Sequence, residues 1–288
     1  MFIGLGKMAS GEIAGFDGHE AAHQIVIGQT RSGKSITNYF LLSQVAFDPL
    51  IAVIGLDASG LTLAPFADSG QDFVVTGSAD VTHYAVVLEN AVALMDYRTV
   101  SMRQLGVDNF VPSETAPTVL VLLEEYAGVL AACDAHDASV KPVERIKPRV
   151  LGAVGRLLRE GAKTQILVWT VIQRPDAAVV GGADRAQYAR RVTHRVDSAE
   201  AVKMLNESAT DADMARVLSF APGVGLLNEP GRPYRYFRSA YLTYADYVER
   251  VKARYIPKNF IFDGLGADAG NQAQDDARAA KAKRIGDG

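Results

Sequence analysis

The sequence predicts a three-layer α/β domain with a mostly parallel central sheet, and three observations predict it. Short, nearly all-apolar runs recur at residues 24–27, 51–57, 117–123 and 166–172, as expected of strands buried on both faces. Segments with helical periodicity alternate with them, as crossovers between parallel strands require. The polar residues Asp57, Glu124, Glu125 and Gln173 fall at the carboxyl ends of these runs, the edge of such a sheet where ligands bind.

Taken in order, residues 1–22 carry Gly4, Gly6, Gly11, Gly15 and Gly18 between short apolar pieces, which predicts an N-terminal β-hairpin extension that covers a sheet edge. Gln24-Ile25-Val26-Ile27 reads as the first core strand, and Lys34 to Ala46 as a helix that ends before Asp48-Pro49. Ile51 to Asp57 and Phe73 to Thr76 read as strands, and Thr82 to Leu105 as a long helix with Ala85, Leu88, Val92, Met95 and Met102 on one side. The run 117–123 ends abruptly in Glu124-Glu125. A helix from Ala127 is expected to break around Asp134 to Ser139, and a second spans Val143 to Glu160, with an irregular start at Pro148. After the strand Ile166 to Ile172 come Gln173-Arg174-Pro175. The stretch Arg190 to Val196 reads as an exposed or edge strand, Ser198 to Asn206 as a capped helix, and 223–228 with 234–238 as a terminal hairpin. Residues 263–288, poor in apolar residues other than alanine, read as a disordered tail, which leaves 23–262 as one domain.

Between the first strand and its helix stands Gly28-Gln29-Thr30-Arg31-Ser32-Gly33-Lys34-Ser35, the pattern G-x-x-x-x-G-K-[ST]. Gly28 and Gly33 are expected to supply backbone torsions closed to other residues, so that successive N–H groups point at phosphate oxygens. Lys34 then offers a cation to the β- and γ-phosphates, and Ser35 a hydroxyl ligand for Mg²⁺. The domain is therefore expected to be a P-loop nucleoside triphosphatase of RecA-like architecture that takes ATP and Mg²⁺. Paired acids at a strand end suit hydrolysis: Glu124 holds the hydration shell of the metal, Glu125 orients the attacking water, and Gln173 on the next strand senses the γ-phosphate.

In the stretch 141–163, Lys141, Arg145, Lys147, Arg149, Arg156, Arg159 and Lys163 face only Glu144 and Glu160. Arg156, Arg159 and Lys163 are candidates for a charge supplied in trans to a neighbouring subunit, and a solvated basic helix face explains them as well. Arg185, Arg190, Arg191 and Arg195 are candidates for tracking nucleic-acid phosphates, or equally for surface solubility.

The net charge of −3 over 288 residues argues against coating nucleic acid with the whole surface and leaves a local basic groove open. Cys133 is the single cysteine, which excludes an intrachain disulfide and suits a reducing compartment. No apolar run approaches the roughly 18 residues of a membrane span, so a cytoplasmic location is expected, compatible with peripheral attachment through a membrane-bound partner.

At this point the chain resembles the FtsK/SpoIIIE family of hexameric DNA-pumping ATPases, in particular the small motors of actinobacterial conjugative elements. The likeness runs from about Ile3 to Tyr241. It is carried by the phosphate loop, with Arg31 where glycine is usual, and by Leu56-Asp57, with Ser59 where lysine is common. Asp96-Tyr97-Arg98 through Leu105-Gly106-Val107-Asp108-Asn109-Phe110 matches a segment that phosphate loops in general do not require. Leu123-Glu124-Glu125-Tyr126-Ala127 follows, with Glu124 in place of aspartate, and then Gln173-Arg174-Pro175. Arg159-Glu160-Gly161 matches a segment in which relatives often carry an arginine three residues on, where Ala162 and Lys163 stand here. The resemblance implies ATP-driven translocation of double-stranded DNA by a homo-oligomeric, hexameric ring, as in plasmid or integrative-element transfer. A protein-secretion ATPase of the same fold and a non-catalytic nucleotide-binding scaffold are the alternatives.

Overall fold

The computed structural model describes residues 1–176 and 179–258. The tail expected at 263–288 lies outside the described residues. Strands β1 (Phe2–Lys7) and β2 (Ile13–Asp17) precede β3 (Gln24–Ile27), which enters α1 (Lys34–Val45) through the phosphate loop. There follow β4 (Ile51–Asp57), α2 (Ala64–Asp68), β5 (Val74–Thr76), α3 (Thr82–Leu105), β6 (Thr118–Glu124), α4 (Tyr126–Asp137), α5 (Lys147–Glu160) and β7 (Ile166–Ile172). Next come α6 (Gly182–Arg185), β8 (Arg190–Thr193), α7 (Ala199–Leu205), α8 (Asp211–Leu218), β9 (Val224–Asn228), β10 (Arg235–Ser239) and α9 (Tyr244–Arg254).

All ten strands join one sheet in the order β2-β1-β10-β9-β8-β3-β7-β6-β4-β5. The run from β8 to β5 is parallel, and β9, β10, β1 and β2 extend it with antiparallel pairings. The fold is thus the mixed, mostly parallel P-loop type. The N-terminal hairpin does not stand apart, because β1 pairs with β10 and Gln44 of α1 bonds both the N–H and the carbonyl of Gly4, each at 2.9 Å. Ile3, Leu5, Ala14 and Phe16 share a core with Val26, Leu41, Trp169 and Tyr247. The opposite face of the sheet packs Ile25, Ile27 and Leu123 against α3, α4 and α5, which completes the three layers.

The long helix falls at Thr82–Leu105 as its periodicity predicts, stopped by Gly106 at φ 66°. The helix after β6 ends at Asp137, within the expected break, and the Asp137 carboxylate accepts the N–H groups of Ile146 and Lys147 and so starts α5. Two departures have plain causes. Pro148 is no irregularity, since it sits in the first turn of α5, where its missing N–H is not needed. β8 is not an edge strand but an interior one between β3 and β9.

Burial of β8 overturns the reading of its arginines as phosphate trackers. Arg190 is 2% exposed. Its guanidinium donates to Glu229 at 3.0 Å and Glu20 at 2.8 Å and lies 3.6 Å over the Phe16 ring. Arg191 donates to the carbonyls of Tyr188 and Leu205. Both are framework cations: Arg190 ties the antiparallel half to the core, and Arg191 ties β8 to the end of α7.

Two histidines are buried with it. Val168 N–H donates to His23 Nδ1 at 2.9 Å, and His194 Nδ1 lies 2.9 Å from the carbonyl of Val224. Burial pushes both imidazoles from the ordinary 6.5 to about 4. Because the folded value is the lower one, the unfolded chain takes up more protons as the pH falls below 6.5. Stability is therefore full above that pH and is lost towards pH 4. We expect up to about 2 kcal/mol to be lost per histidine near pH 5. Urea titrations above and below the interval measure it, and equal midpoints would exclude it.

Candidate nucleotide site

The phosphate loop hangs between two strand ends. Gly28 N–H donates to the carbonyl of Ile172 at 3.4 Å and Gln29 N–H to that of Arg195 at 2.9 Å, so β7 and β8 hold its first half. Its second half is held from below, where Gly223 N–H donates to the carbonyl of Ser32 at 2.8 Å. The two glycines serve different ends. Gly33 has φ 94°, and a Cβ there would lie 2.3 Å from the backbone nitrogen of Gly223. Gly28 lies outside the left-handed region and is needed for space, because a Cβ would meet Ser32 Oγ at 2.5 Å and His194 Cβ at 2.7 Å. The expected special torsion belongs to Gly33 and also to Arg31, at φ 63°. A side chain costs about 1–2 kcal/mol in that region, where glycine costs nothing.

At the start of α1 the first N–H groups have no intrahelical acceptor and the helix dipole favours an anion. Ser35 is exposed there and Thr30 lies at the mouth. Lys34 is 7% exposed, and its Nζ has no hydrogen-bond partner among the described residues; Ser32 Oγ is likewise buried and unpartnered. Burial pushes the Lys34 amine downwards, opposed by the charges of Glu125 and Glu124. A buried ammonium without acceptors is costly unless an anion completes it. The residues present thus fit the triphosphate they were expected to hold.

The carboxylates converge on the same point. β6 delivers Glu124, 5% exposed, whose Oε2 accepts from Asn38 Nδ2 at 3.3 Å. Burial and the neighbouring charge of Asp57 push its carboxyl up, while Lys34 pulls it down. Glu125 follows with φ 51° and ψ 49°, a left-handed step that turns its side chain off the strand end. Its Oε2 lies 3.9 Å from Lys34 Nζ, and Gln173 Nε2 donates to its Oε1. Thr30 Oγ1 donates to Gln173 Oε1 at 3.5 Å. The loop with Lys34, Glu124 with Glu125, and Gln173 are therefore brought together from three segments. Asp57 lies beside Glu124 in register, but both its oxygens are spent on the following turn: Oδ1 accepts from Ser59 and Gly60, and Oδ2 from Leu63 N–H at 2.9 Å. Asn38 was not among the sequence candidates. Its place one helical turn after Lys34 was the available signal.

The three basic candidates lie elsewhere. Arg156 is engaged within its own chain, bidentate to Asp96 at 2.7 and 3.1 Å and bonded to Glu160 at 2.9 Å. Arg159 and Lys163 are exposed. Phe110 N–H donates to the carbonyl of Lys163 at 2.8 Å, at the end of the sheet where β6 and β7 begin and opposite the phosphate loop. Neither can reach the phosphates of its own chain. Arg98 staples this edge: its buried guanidinium donates to the carbonyls of Thr164 at 2.9 Å and Pro117 at 2.7 Å and lies 4.1 Å over Phe110.

The model of the FtsK/SpoIIIE family matches residues 1–196. Among curated proteins there is no match. Among solved structures, the chain is similar to the pCW3 conjugation coupling protein TcpA in its monomer form with ATPγS (TM-score 0.68, 20% identity, covering 88% of this chain and 70% of that one). It is also similar to the cytoplasmic domain of the Thermomonospora curvata type VII secretion ATPase EccC (TM-score 0.67, 18% identity, 89% of this chain and 32% of that one). A third likeness is to EssC ATPases 2 and 3 from Geobacillus thermodenitrificans (TM-score 0.61, 13% identity, 97% of this chain and 49% of that one). The chain thus spans about a third of EccC and half of the EssC fragment. At these identities the likenesses establish the fold. No helix of the described residues is long and apolar enough to cross a membrane.

Proposed function

Because the chain belongs to the FtsK/SpoIIIE family of P-loop ATPases, we propose that it hydrolyses ATP to move double-stranded DNA through a ring of its own copies, in plasmid or integrative-element transfer. The observation that carries the hydrolytic part is the convergence of a buried Lys34, without a hydrogen-bond partner among the described residues, with Glu124, Glu125 and Gln173 at one strand edge. In this reading Lys34 and the α1 amides bind the β- and γ-phosphates, and Ser35 and Glu124 would hold Mg²⁺, which would supply neutralising charge to the phosphates. Glu125 takes a proton from the attacking water. In the structure Glu125 is bound by Gln173 and lies near Lys34, the two groups assigned to the γ-phosphate. A phosphate that engages both frees the Glu125 carboxylate for water.

Arg159 and Lys163, exposed at the far edge and out of reach of the phosphates of their own chain, are the trans candidates. That supports a ring, of hexameric size by the family resemblance, in the cytoplasm or held at the membrane through a partner protein. The likeness to secretion ATPases supports a second reading, in which the same motor acts on a polypeptide. ATPase rate with and without duplex DNA separates the two. Stimulation severalfold by duplex, lost at high salt as phosphate contacts are screened, supports the DNA motor. Stimulation by a secreted signal peptide and not by DNA would replace it with the second reading.

A further inference from the structure

The phosphate loop and the acids account for the charged end of a nucleotide and leave its base unassigned. The chain after β10 supplies the missing part. β10 ends at Ser239, whose N–H donates to the carbonyl of Gly223 at 2.8 Å, and Gly223 is itself bonded to Ser32 of the loop. Residues 240–243 therefore leave from beside the phosphate loop. They end at Thr243, the cap of α9, where the rings of Tyr244 and Tyr247 meet Tyr39 of α1 at 5.5 and 4.7 Å. Between these anchors the strap follows α1 from Gly33 to Tyr39, about 9 Å of helix. Leu242 points inward, 4% exposed and packed in the core with Leu41 and Leu42. Tyr241 points outward, 77% exposed, with no hydrogen bond or ring contact among the described residues.

An exposed tyrosine two residues beyond Ser239, on a strap pinned at both ends, is an aromatic face carried beside the phosphate loop. Nucleobases stack on such faces, and purines offer the larger area. We propose that Tyr241 is the stacking platform for the purine base of the bound nucleoside triphosphate. The Tyr39–Tyr244–Tyr247 cluster holds the strap in place. This rests on the reading of the phosphate loop as a triphosphate site.

The test is calorimetric titration of ATP and of inorganic tripolyphosphate into wild type, Tyr241→Ala and Tyr241→Phe. We expect Tyr241→Ala to weaken ATP about tenfold and to leave tripolyphosphate unchanged, with Tyr241→Phe close to wild type for both. Equal affinity of Tyr241→Ala and wild type for ATP would overturn the platform. So would equal weakening of both ligands, which would make the strap a prop for the loop. If wild type binds neither ligand, the phosphate-loop reading fails and the platform falls with it. Since Tyr241 is exposed, an unchanged melting temperature checks that the alanine variant is folded.

Discussion

Glu125→Gln is expected to bind ATP as wild type does and to hydrolyse it roughly 10²- to 10⁴-fold more slowly, the usual worth of a positioned general base. The amide keeps the size and shape of the carboxylate but cannot take a proton. The left-handed backbone at Glu125 is set by the turn from β6 into α4, and the remaining oxygen still accepts from Gln173, while an uncharged NH₂ stands beside Lys34. Single-turnover phosphate release beside equilibrium nucleotide binding gives both halves of the result. Hydrolysis at the wild-type rate would remove Glu125 from the role of base and leave Glu124, buried and with its carboxyl pushed up, as the remaining candidate.

Lys34→Ala is expected to act with opposite signs on binding and on stability. It removes the charge that meets the β- and γ-phosphates, so nucleotide affinity falls at least about 100-fold, as when one partner of a desolvated charge pair is lost. In the nucleotide-free protein, however, Lys34 Nζ is a buried cation with no hydrogen-bond partner among the described residues. Deleting it relieves a desolvation that outweighs its attraction to Glu125, 3.9 Å away, and to Glu124. The melting temperature without nucleotide should stay level or rise, and the rise that ATP gives to wild type should vanish. A variant that melts lower and still gains stability from ATP would contradict both halves. Lys34→Met, which keeps most of the side-chain volume, separates the loss of charge from the loss of packing.

What the sequence carried well was local. The phosphate loop, the acids that end β6 and the glutamine that ends β7 each follow an apolar run whose end is visible in the residues themselves, and a parallel sheet brings such ends to one edge. What it carried poorly depended on partners far away in the chain. Arg190 looks like any surface arginine until Glu229, Glu20 and Phe16 are placed around it. Gly28 looks like a torsional glycine until His194 is known to lie against it. Arg98 belongs to the discriminating Asp96-to-Phe110 segment, and only the fold gives its reason: a cation with no carboxylate partner among the described residues, held by carbonyls of the turn before β7 and of the segment entering β6. α9 escaped notice although Thr243 and Asp246 form a capping pair at its start, because its apolar face is short. Arg31 stands where glycine is usual, and the structure adds that its backbone occupies the conformation glycine would take at no cost.

The bond between Ser32 and Gly223 also bears on when the site comes into being. The loop at residues 28–35 is closed from below by a turn nearly two hundred residues later, itself anchored to Ser239. A contact of such sequence separation carries a large loop-closure entropy. The shape of the phosphate loop thus depends on the antiparallel strands, and nucleotide binding is expected only of a chain in which they are in place.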